Sequence, residues 1–241
     1  GISLKIDDNN IKNFINNLDF KLTNSQDKVI NEIVEDLSKK TPMNRLLQGD
    51  VGSGKTIVSA IAAYATYLNG YQTIFLAPTQ ILANQHYESL TSLFPNLSIS
   101  LVTANSKLIT NSNIIIGTHA LLTKTFEKVG LLVIDEQHKF GVKQINFLQK
   151  TNPHVLTMTA TPIPRTIAQT LFSDMDLSVI DELPKNRQKI KTWLVPNEKR
   201  DNAYEWIKKQ VSDYKSQVFI ICPLVEESES ETLKDVKSVK K

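Results

Sequence analysis

The 241-residue sequence contains a single cysteine, Cys222. One thiol excludes an internal disulfide and any metal cluster built from several thiolates. Cys222 follows the apolar run Val218 to Ile221, a setting expected of an inert core thiol. Long hydrophobic stretches are missing as well. No apolar run approaches the ~20 residues of a membrane span, and the Asn- and Lys-containing start lacks the apolar core of a signal peptide. A cytoplasmic location with no membrane partner is the resulting expectation. Nor does one sign of charge dominate, since 28 Lys and Arg face 25 Asp and Glu for a net charge of +3. That balance permits a nucleic-acid partner without arguing for one, so motifs must decide. Internal repeats and low-complexity tracts are also lacking. With 41% hydrophobic residues the chain can bury at least one substantial core, and its length suits one domain plus part of another.

What the sequence does contain is a complete phosphate-binding loop. Residues Gly49, Asp50, Val51, Gly52, Ser53, Gly54, Lys55 and Thr56 follow the apolar pair Leu46-Leu47 and open the helix-like stretch Lys55 to Leu68. Strand, glycine loop and helix in that order aim several backbone N–H groups and the positive end of a helix at one point, which suits a nucleotide's phosphates. Gly52 and Gly54 let the backbone curl without a Cβ in the way. Lys55 is expected to reach the β- and γ-phosphates, and the Thr56 hydroxyl to hold Mg²⁺. A glycine turn that merely starts a helix is the alternative.

Around the loop the chain alternates short apolar runs with helical periodicity. Ile11, Phe14, Ile15 and Leu18, then Val29, Ile30, Ile33, Val34 and Leu37, predict two helices before the loop. After it come Thr73 to Ala77, a helical stretch from Gln80 to Leu93, and the runs Ile99 to Val102, Ile114 to Ile116, Leu131 to Ile134 and Val155 to Met158. The pattern predicts an α/β fold, a parallel sheet with helices on both faces. Such sheets bind nucleotides at the carboxyl ends of their strands. The polar, proline-bearing stretch 182–189 reads as a linker between a nucleotide-binding domain over 21–181 and a second unit over 190–241. In that second unit only the runs Ile190 to Val195 and Val218 to Ile221 and a helix-like stretch from Glu198 to about Asp213 are legible. Residues 226–241, mixed in charge, are expected to fray.

The run Leu131 to Ile134 ends in Asp135-Glu136-Gln137-His138, which brings two adjacent carboxylates to the functional edge. Asp135 is expected to bind Mg²⁺ through water, and Glu136 to polarise the water that attacks the γ-phosphate. Buried side by side the two would repel, which favours a cation between them and the phosphates. The alternative is a solvated acidic loop, and His138 has a plain reading as a surface or core imidazole. Thr23 and Gln26 form Thr-x-x-Gln ahead of an apolar helix, a capping box that needs no ligand.

Taken in order, Leu22 to Gln26, Gly49 to Thr56, Ala77-Pro78-Thr79, Gly117-Thr118-His119-Ala120-Leu121, Asp135 to His138 and Thr159-Ala160-Thr161-Pro162-Ile163-Pro164-Arg165-Thr166 resemble the motifs of superfamily-two helicases. The longer matches, Gln48 to Thr56, Asp135 to Val142, Met158 to Thr166 and Val179 to Pro184, look most like the RecG family of branch-migrating DNA helicases. The resemblance covers about Ile11 to Glu229. It implies an ATP-driven motor on branched or duplex DNA, acting at stalled forks and Holliday junctions, with a RecA-like first lobe and, over 190–241, the incomplete start of a second RecA-like lobe. It also implies that Gln26 reads the adenine edge, with Phe20 against the base, although Phe20 could equally staple the helix start. Pro78, Thr79, Thr118 and His119 would grip the DNA backbone. Thr159 and Thr161 would couple nucleotide state to movement through the catalytic-motif residues Gln137 or His138. Thr79 and Thr118 could instead simply cap the next helix, Pro162 and Pro164 could be helix-start prolines, and Arg165 an exposed arginine.

Two departures temper the likeness. The family's second lobe supplies arginines to the ATP site, and no such motif follows Cys222-Pro223-Leu224. A finger arginine can be worth ~10³ to 10⁵ in rate, so nucleotide binding with little hydrolysis is expected of this chain. Residues 1–20 read as a lead-in from a wedge domain that the sequence does not contain, and a monomer is expected. The connections from Val102 to Ile114 and from Gln149 to His154 are also short for parallel crossovers. Rival readings are another duplex translocase such as the transcription-repair coupling factor, a nucleotide-gated DNA-binding module without turnover, and a small-molecule kinase. Glu136 speaks against the module, and the threonine motifs at three strand ends are unexplained by the kinase.

Overall fold

A computed structural model describes residues 2–103, 111–126, 128–136, 152–161, 175–184 and 190–221. The chain divides into two compact units, 1–187 and 188–241.

In the first unit seven strands form one sheet: β1 (Asn44–Gly49), β2 (Gln72–Leu76), β3 (Ile99–Val102), β4 (Ile114–Gly117), β5 (Val129–Asp135), β6 (His154–Thr159) and β7 (Asp176–Ile180). Their order is β3-β4-β2-β5-β6-β1-β7, and every pairing is parallel. Parallel strands covered on both faces should be apolar throughout rather than alternating. β4, β5 and β6 are buried at every position. Among the described residues of this unit the helices are α1 (Asp8–Asn16), α2 (Asn24–Ser38), α3 (Lys55–Leu68) and α4 (Gln80–Leu93), the last two with the limits that periodicity predicts. One buried cluster joins α2 and α3 to β1, β2, β4 and β5, including Val29, Ile33, Ile61 and Phe75. A second, with Ile74, Ile115, Leu132 and Val155, draws on β2, β4, β5 and β6. α1 is fastened by stacking of Phe14 on Tyr64 and Phe94, with ring centroids 4.9 and 5.0 Å apart.

β7 is the strand that periodicity overlooks. Its burial alternates, and at its centre Ser178 is buried because Arg45 of β1 donates to its hydroxyl at 2.8 Å. The guanidinium also binds Asp36 at 2.7 Å and approaches Glu32 at 3.4 Å. Burial pushes the Asp36 carboxyl up, yet Lys39 and Arg45 together hold it below the ordinary carboxylate value. A charged group thus stays inside because its hydrogen bonds are made there.

His154, fully buried at the start of β6, accepts from the Met43 N–H at 2.9 Å through Nδ1. Its Nε2 donates to the Ile2 carbonyl at 2.7 Å, which ties the chain's first residues to the sheet.

The second unit holds the helix Arg200–Tyr214 after a short 3₁₀ turn, with Trp193 packed edge-on against Trp206 at 5.8 Å. Neither Ile190 to Val195 nor Val218 to Ile221 forms a strand among the described residues, and Leu194, Phe219 and Ile221 are exposed. Such runs need neighbours to take up their backbone N–H and C=O groups. Cys222 lies outside the described residues, as do residues 104–110 and 137–151, which include most of the first short connection and the beginning of the second.

Burial lowers the His154 pKa below 6.5, only partly offset by the Ile2 carbonyl and Asp36. The unfolded chain then binds the proton more readily, so this group's stabilisation is complete above about pH 6.5 and is lost as pH falls toward the folded value. Urea unfolding from pH 7.5 to 5 should show stability declining below pH 6.5, with a shallower decline in His154→Gln. Superimposable pH profiles for the two proteins would contradict this assignment.

Candidate functional site at the carboxyl edge of the sheet

The register of three neighbouring strands sets the geometry. Gln48 of β1 lies opposite Thr159 of β6, and Met158 of β6 lies opposite Asp135 of β5. The strands therefore end level, and Gly49, Asp135 and Thr159 emerge on one edge. Neighbouring strands lie about 4.8 Å apart, so β1 and β5 are separated by about 10 Å, within reach of one triphosphate and its metal ion.

From β1 the chain turns through the glycine loop. Gly52 and Gly54 have φ of +78° and +89°, the left-handed region that a side chain disfavours. A Cβ on Gly54 would lie 2.2 Å from Gln26 Nε2, and one on Gly49 would lie 2.5 Å from Ser53 Oγ. Gly54 is the N-cap of α3 and offers no side-chain cap, so the first turn presents N–H groups that a phosphate can accept from. The Ser53 hydroxyl is buried with no hydrogen-bond partner among the described residues. Lys55 Nζ donates to the carbonyls of Gly49 at 2.7 Å and Asp50 at 3.1 Å, folded over the loop it is expected to serve. Burial lowers its pKa, while Asp135, Glu136 and Asp50 pull the other way. An ammonium desolvated in a ring of N–H donors fits a polyanion. The donor set therefore suits a nucleotide's phosphates, and a divalent ion would rest on Asp135, Thr56 and those phosphates.

Gln26 carries two structural duties at once. Its Oε1 accepts from Thr23 N while Thr23 Oγ1 accepts from Gln26 N, completing the capping box. Its Nε2 donates to Ser53 O at 2.7 Å, so the capped helix also braces the phosphate loop. The neighbouring Ser25 links that helix to the end of β7: its N–H donates to Glu182 at 3.2 Å, and its hydroxyl accepts from Asp181 N. Phe20 is half exposed.

The two carboxylates after β5 part company. Glu136 has a φ of +52°, rare for a residue with a side chain and costing on the order of 1 kcal/mol. That turn sends its carboxylate to β6, where it accepts from Ala160 N at 2.9 Å and Thr159 Oγ1 at 3.2 Å. Thr159 Oγ1 in turn accepts from Thr161 N at 3.1 Å. Asp135, buried, is bound instead by His86 of α4, Nε2 to Oδ2 at 2.9 Å. Each carboxylate thus has a donor of its own, so the mutual repulsion expected from their adjacency is relieved by the protein. The contact to the Thr159-Ala160-Thr161 motif runs through Glu136; Gln137 and His138, expected to make it, lie outside the described residues with Pro162, Pro164 and Arg165.

The remaining threonine motifs sit farther along the same edge. Pro78 and Thr79 follow β2, and Thr118 and His119 follow β4, its neighbour, with Ala77 N donating to Gly117 O at 2.8 Å. Thr79 caps α4, accepting from Leu82 N at 3.3 Å, so its structural role is real. Thr118 makes no such side-chain cap to the 3₁₀ turn His119–Thr123, and His119 is exposed.

A family profile for DEAD/DEAH box helicases matches residues 23–170, more than half of the chain. The chain belongs to the DEAD/DEAH box helicases. Within them this helicase chain is 47% identical over 241 residues to the ATP-dependent DNA helicase RecG of Synechocystis sp., covering 93% of this chain and 29% of that protein. With RecG of Bacillus subtilis it shares 45% identity, covering 95% and 36%. A solved structure of RecG bound to a three-way DNA junction superposes with a TM-score of 0.78 at 38% identity, over 88% of this chain and 31% of that one. The resemblance read from the motifs therefore holds, and the sheet is the RecA-like first lobe. The helicase chain spans about a third of the length of these relatives.

Sequence reasoning missed His86, which touches Asp135 directly, and quoted Ala160 only within the Thr159-Ala160-Thr161 motif, without the backbone N–H that holds Glu136. The helical pattern of Gln80 to Leu93 marks His86 only as a position on the inner face. A Gly54→Ala variant tests the loop geometry: left-handed strain and the clash with Gln26 should cost at least about 1 kcal/mol and weaken nucleotide binding. Unchanged melting and unchanged affinity for a fluorescent ADP would contradict it.

Proposed function

We propose that this chain is the first motor lobe of an ATP-dependent DNA helicase that remodels branched DNA in the cytoplasm. The observation that carries the reading is the level ending of β1, β6 and β5, with the phosphate loop, Thr159-Ala160 and Asp135-Glu136 on one edge. The RecG relatives and the junction-bound RecG structure support the DNA substrate.

Bound Mg²⁺ would supply positive charge to the β- and γ-phosphates. Lys55 would leave the Gly49 and Asp50 carbonyls to pair with phosphate, a partner that compensates its burial better. Glu136 would hold and polarise the attacking water, its orientation fixed by Ala160 N and Thr159. Because its carboxylate is shared with the end of β6, a change at the γ-phosphate would be felt at Thr159 to Thr161 without any large motion. Gln26, braced on Ser53, is suited to reading the adenine edge once that loop is filled. Pro78, Thr79, Thr118 and His119 would bind the DNA backbone, and Thr118 has the stronger claim because no helix cap occupies it. The second lobe and the wedge domain of the relatives would complete hydrolysis and junction recognition, and a monomer is the proposed working unit.

Nucleotide titrations test the assignment. Lys55→Ala should weaken binding of Mg·ATP by about 10- to 100-fold, the equivalent of one charge-assisted hydrogen bond. Glu136→Gln, which keeps an oxygen for Ala160 N, should bind as the parent does and, in a complete two-lobed protein, lose turnover. The 241 residues alone should bind nucleotide yet hydrolyse it slowly, with no stimulation by DNA. Equal loss of binding in both variants, or brisk DNA-stimulated turnover by this chain, would overturn the assigned roles.

A further inference from the structure

His86 lies in none of the motifs quoted from the sequence, yet its side chain is bound to that of Asp135. It sits on the buried face of α4, its ring packed on Phe75 of β2 at 4.6 Å between centroids, inclined by 45°. Phe75 is itself fully buried, so the imidazole is held on one side by an aromatic wall and on the other by the carboxylate. An ionised carboxylate can only accept, so Nε2 carries the proton and donates to Oδ2. That leaves Oδ1 as the oxygen for a cation.

We infer that His86 is a positioning residue for the metal site, fixing the Asp135 carboxylate so that one oxygen is committed to the protein and the other to the divalent ion. Outer-shell donors of this kind orient a ligating carboxylate and typically change metal affinity by about 10- to 100-fold when removed. The placement has a second consequence. His86 lies two turns along the helix whose first turn is capped by Thr79, so the helix offered to DNA at its start is the one that holds the metal's carboxylate. The inference rests on the nucleotide-site reading above and concerns metal affinity rather than turnover.

Three variants of the chain test it, with Mg²⁺ titrated against a saturating fluorescent ADP and the metal-free ADP affinity measured in chelator. His86→Leu removes the donor at similar bulk and should raise the Mg²⁺ midpoint about tenfold or more, with metal-free affinity within about twofold of the parent. His86→Gln returns an N–H near the Nε2 position and should restore the midpoint to within about threefold, whereas His86→Asn, whose amide ends one bond short, should resemble the leucine variant. If the leucine variant does not fold, the contrast between glutamine and asparagine carries the test. A Mg²⁺ midpoint unmoved by loss of the donor, or moved equally by glutamine and asparagine, overturns the positioning role and leaves the nucleotide site intact. If the parent chain binds no nucleotide at all, the nucleotide-site reading falls first and this inference with it.

Discussion

The whole site depends on the hydrogen-bond register across β1, β6 and β5. A parallel ladder fixes which residues emerge together, and a slip of one residue would turn every side chain to the opposite face. Here the ladder is locked at several levels by burial: Leu47 lies beside Met158, and Val133 beside Leu156, each essentially inaccessible to solvent. The level strand ends that result are rigid, whereas the loops that grow from them are free to carry chemistry. The two carboxylates at this edge each have a partner supplied, Glu136 by Ala160 and Asp135 by His86.

The energetic logic at the edge is the management of buried charge. Lys55 is desolvated and rests on carbonyl oxygens, which stabilise an ammonium less well than an anion does. Glu136 accepts backbone strain in order to reach β6. Ser53 keeps an unsatisfied hydroxyl inside the loop. Such compromises, gathered where the core is otherwise well packed, are what a site complementary to a ligand leaves behind. At the far side of β1 the same chemistry is resolved differently. Arg45 finds Asp36 and Glu32 on α2 and Ser178 on β7, and needs no ligand.

Much of the fold was legible in the sequence because a doubly covered parallel sheet demands uninterrupted apolar strands. Ile114 to Ile116 and Leu131 to Ile134 could hardly be anything else, and the glycine loop announced the turn between β1 and α3. β7 was not legible, since Asp176 and Ser178 break the apolar pattern and only Arg45, 133 residues away from Ser178, explains why the strand is there. That residues 49–56, Asp135 and Glu136 would meet at one edge of the sheet was legible from residue type and spacing. The partners of the two carboxylates were not: His86 is 49 residues from Asp135, and Ala160 acts through its backbone, which residue type does not reveal. The left-handed turn at Glu136 is likewise set by what it must reach and not by its own preference. At Gln26 the capping box predicted on local grounds is present, and the brace it adds beneath the loop was not legible, because Ser53 is 27 residues away.

The central claim is that one triphosphate bridges the amides around Lys55 and a divalent ion at Asp135. A crystal structure of the chain with Mg²⁺ and a non-hydrolysable ATP analogue tests it most directly. The account predicts phosphate oxygens against the N–H groups of residues 52–56, Lys55 Nζ moved off the Gly49 carbonyl, and the ion facing Asp135 Oδ1 while Oδ2 stays with His86. A nucleotide seated elsewhere, or an ion with no first- or second-sphere link to Asp135, would contradict it.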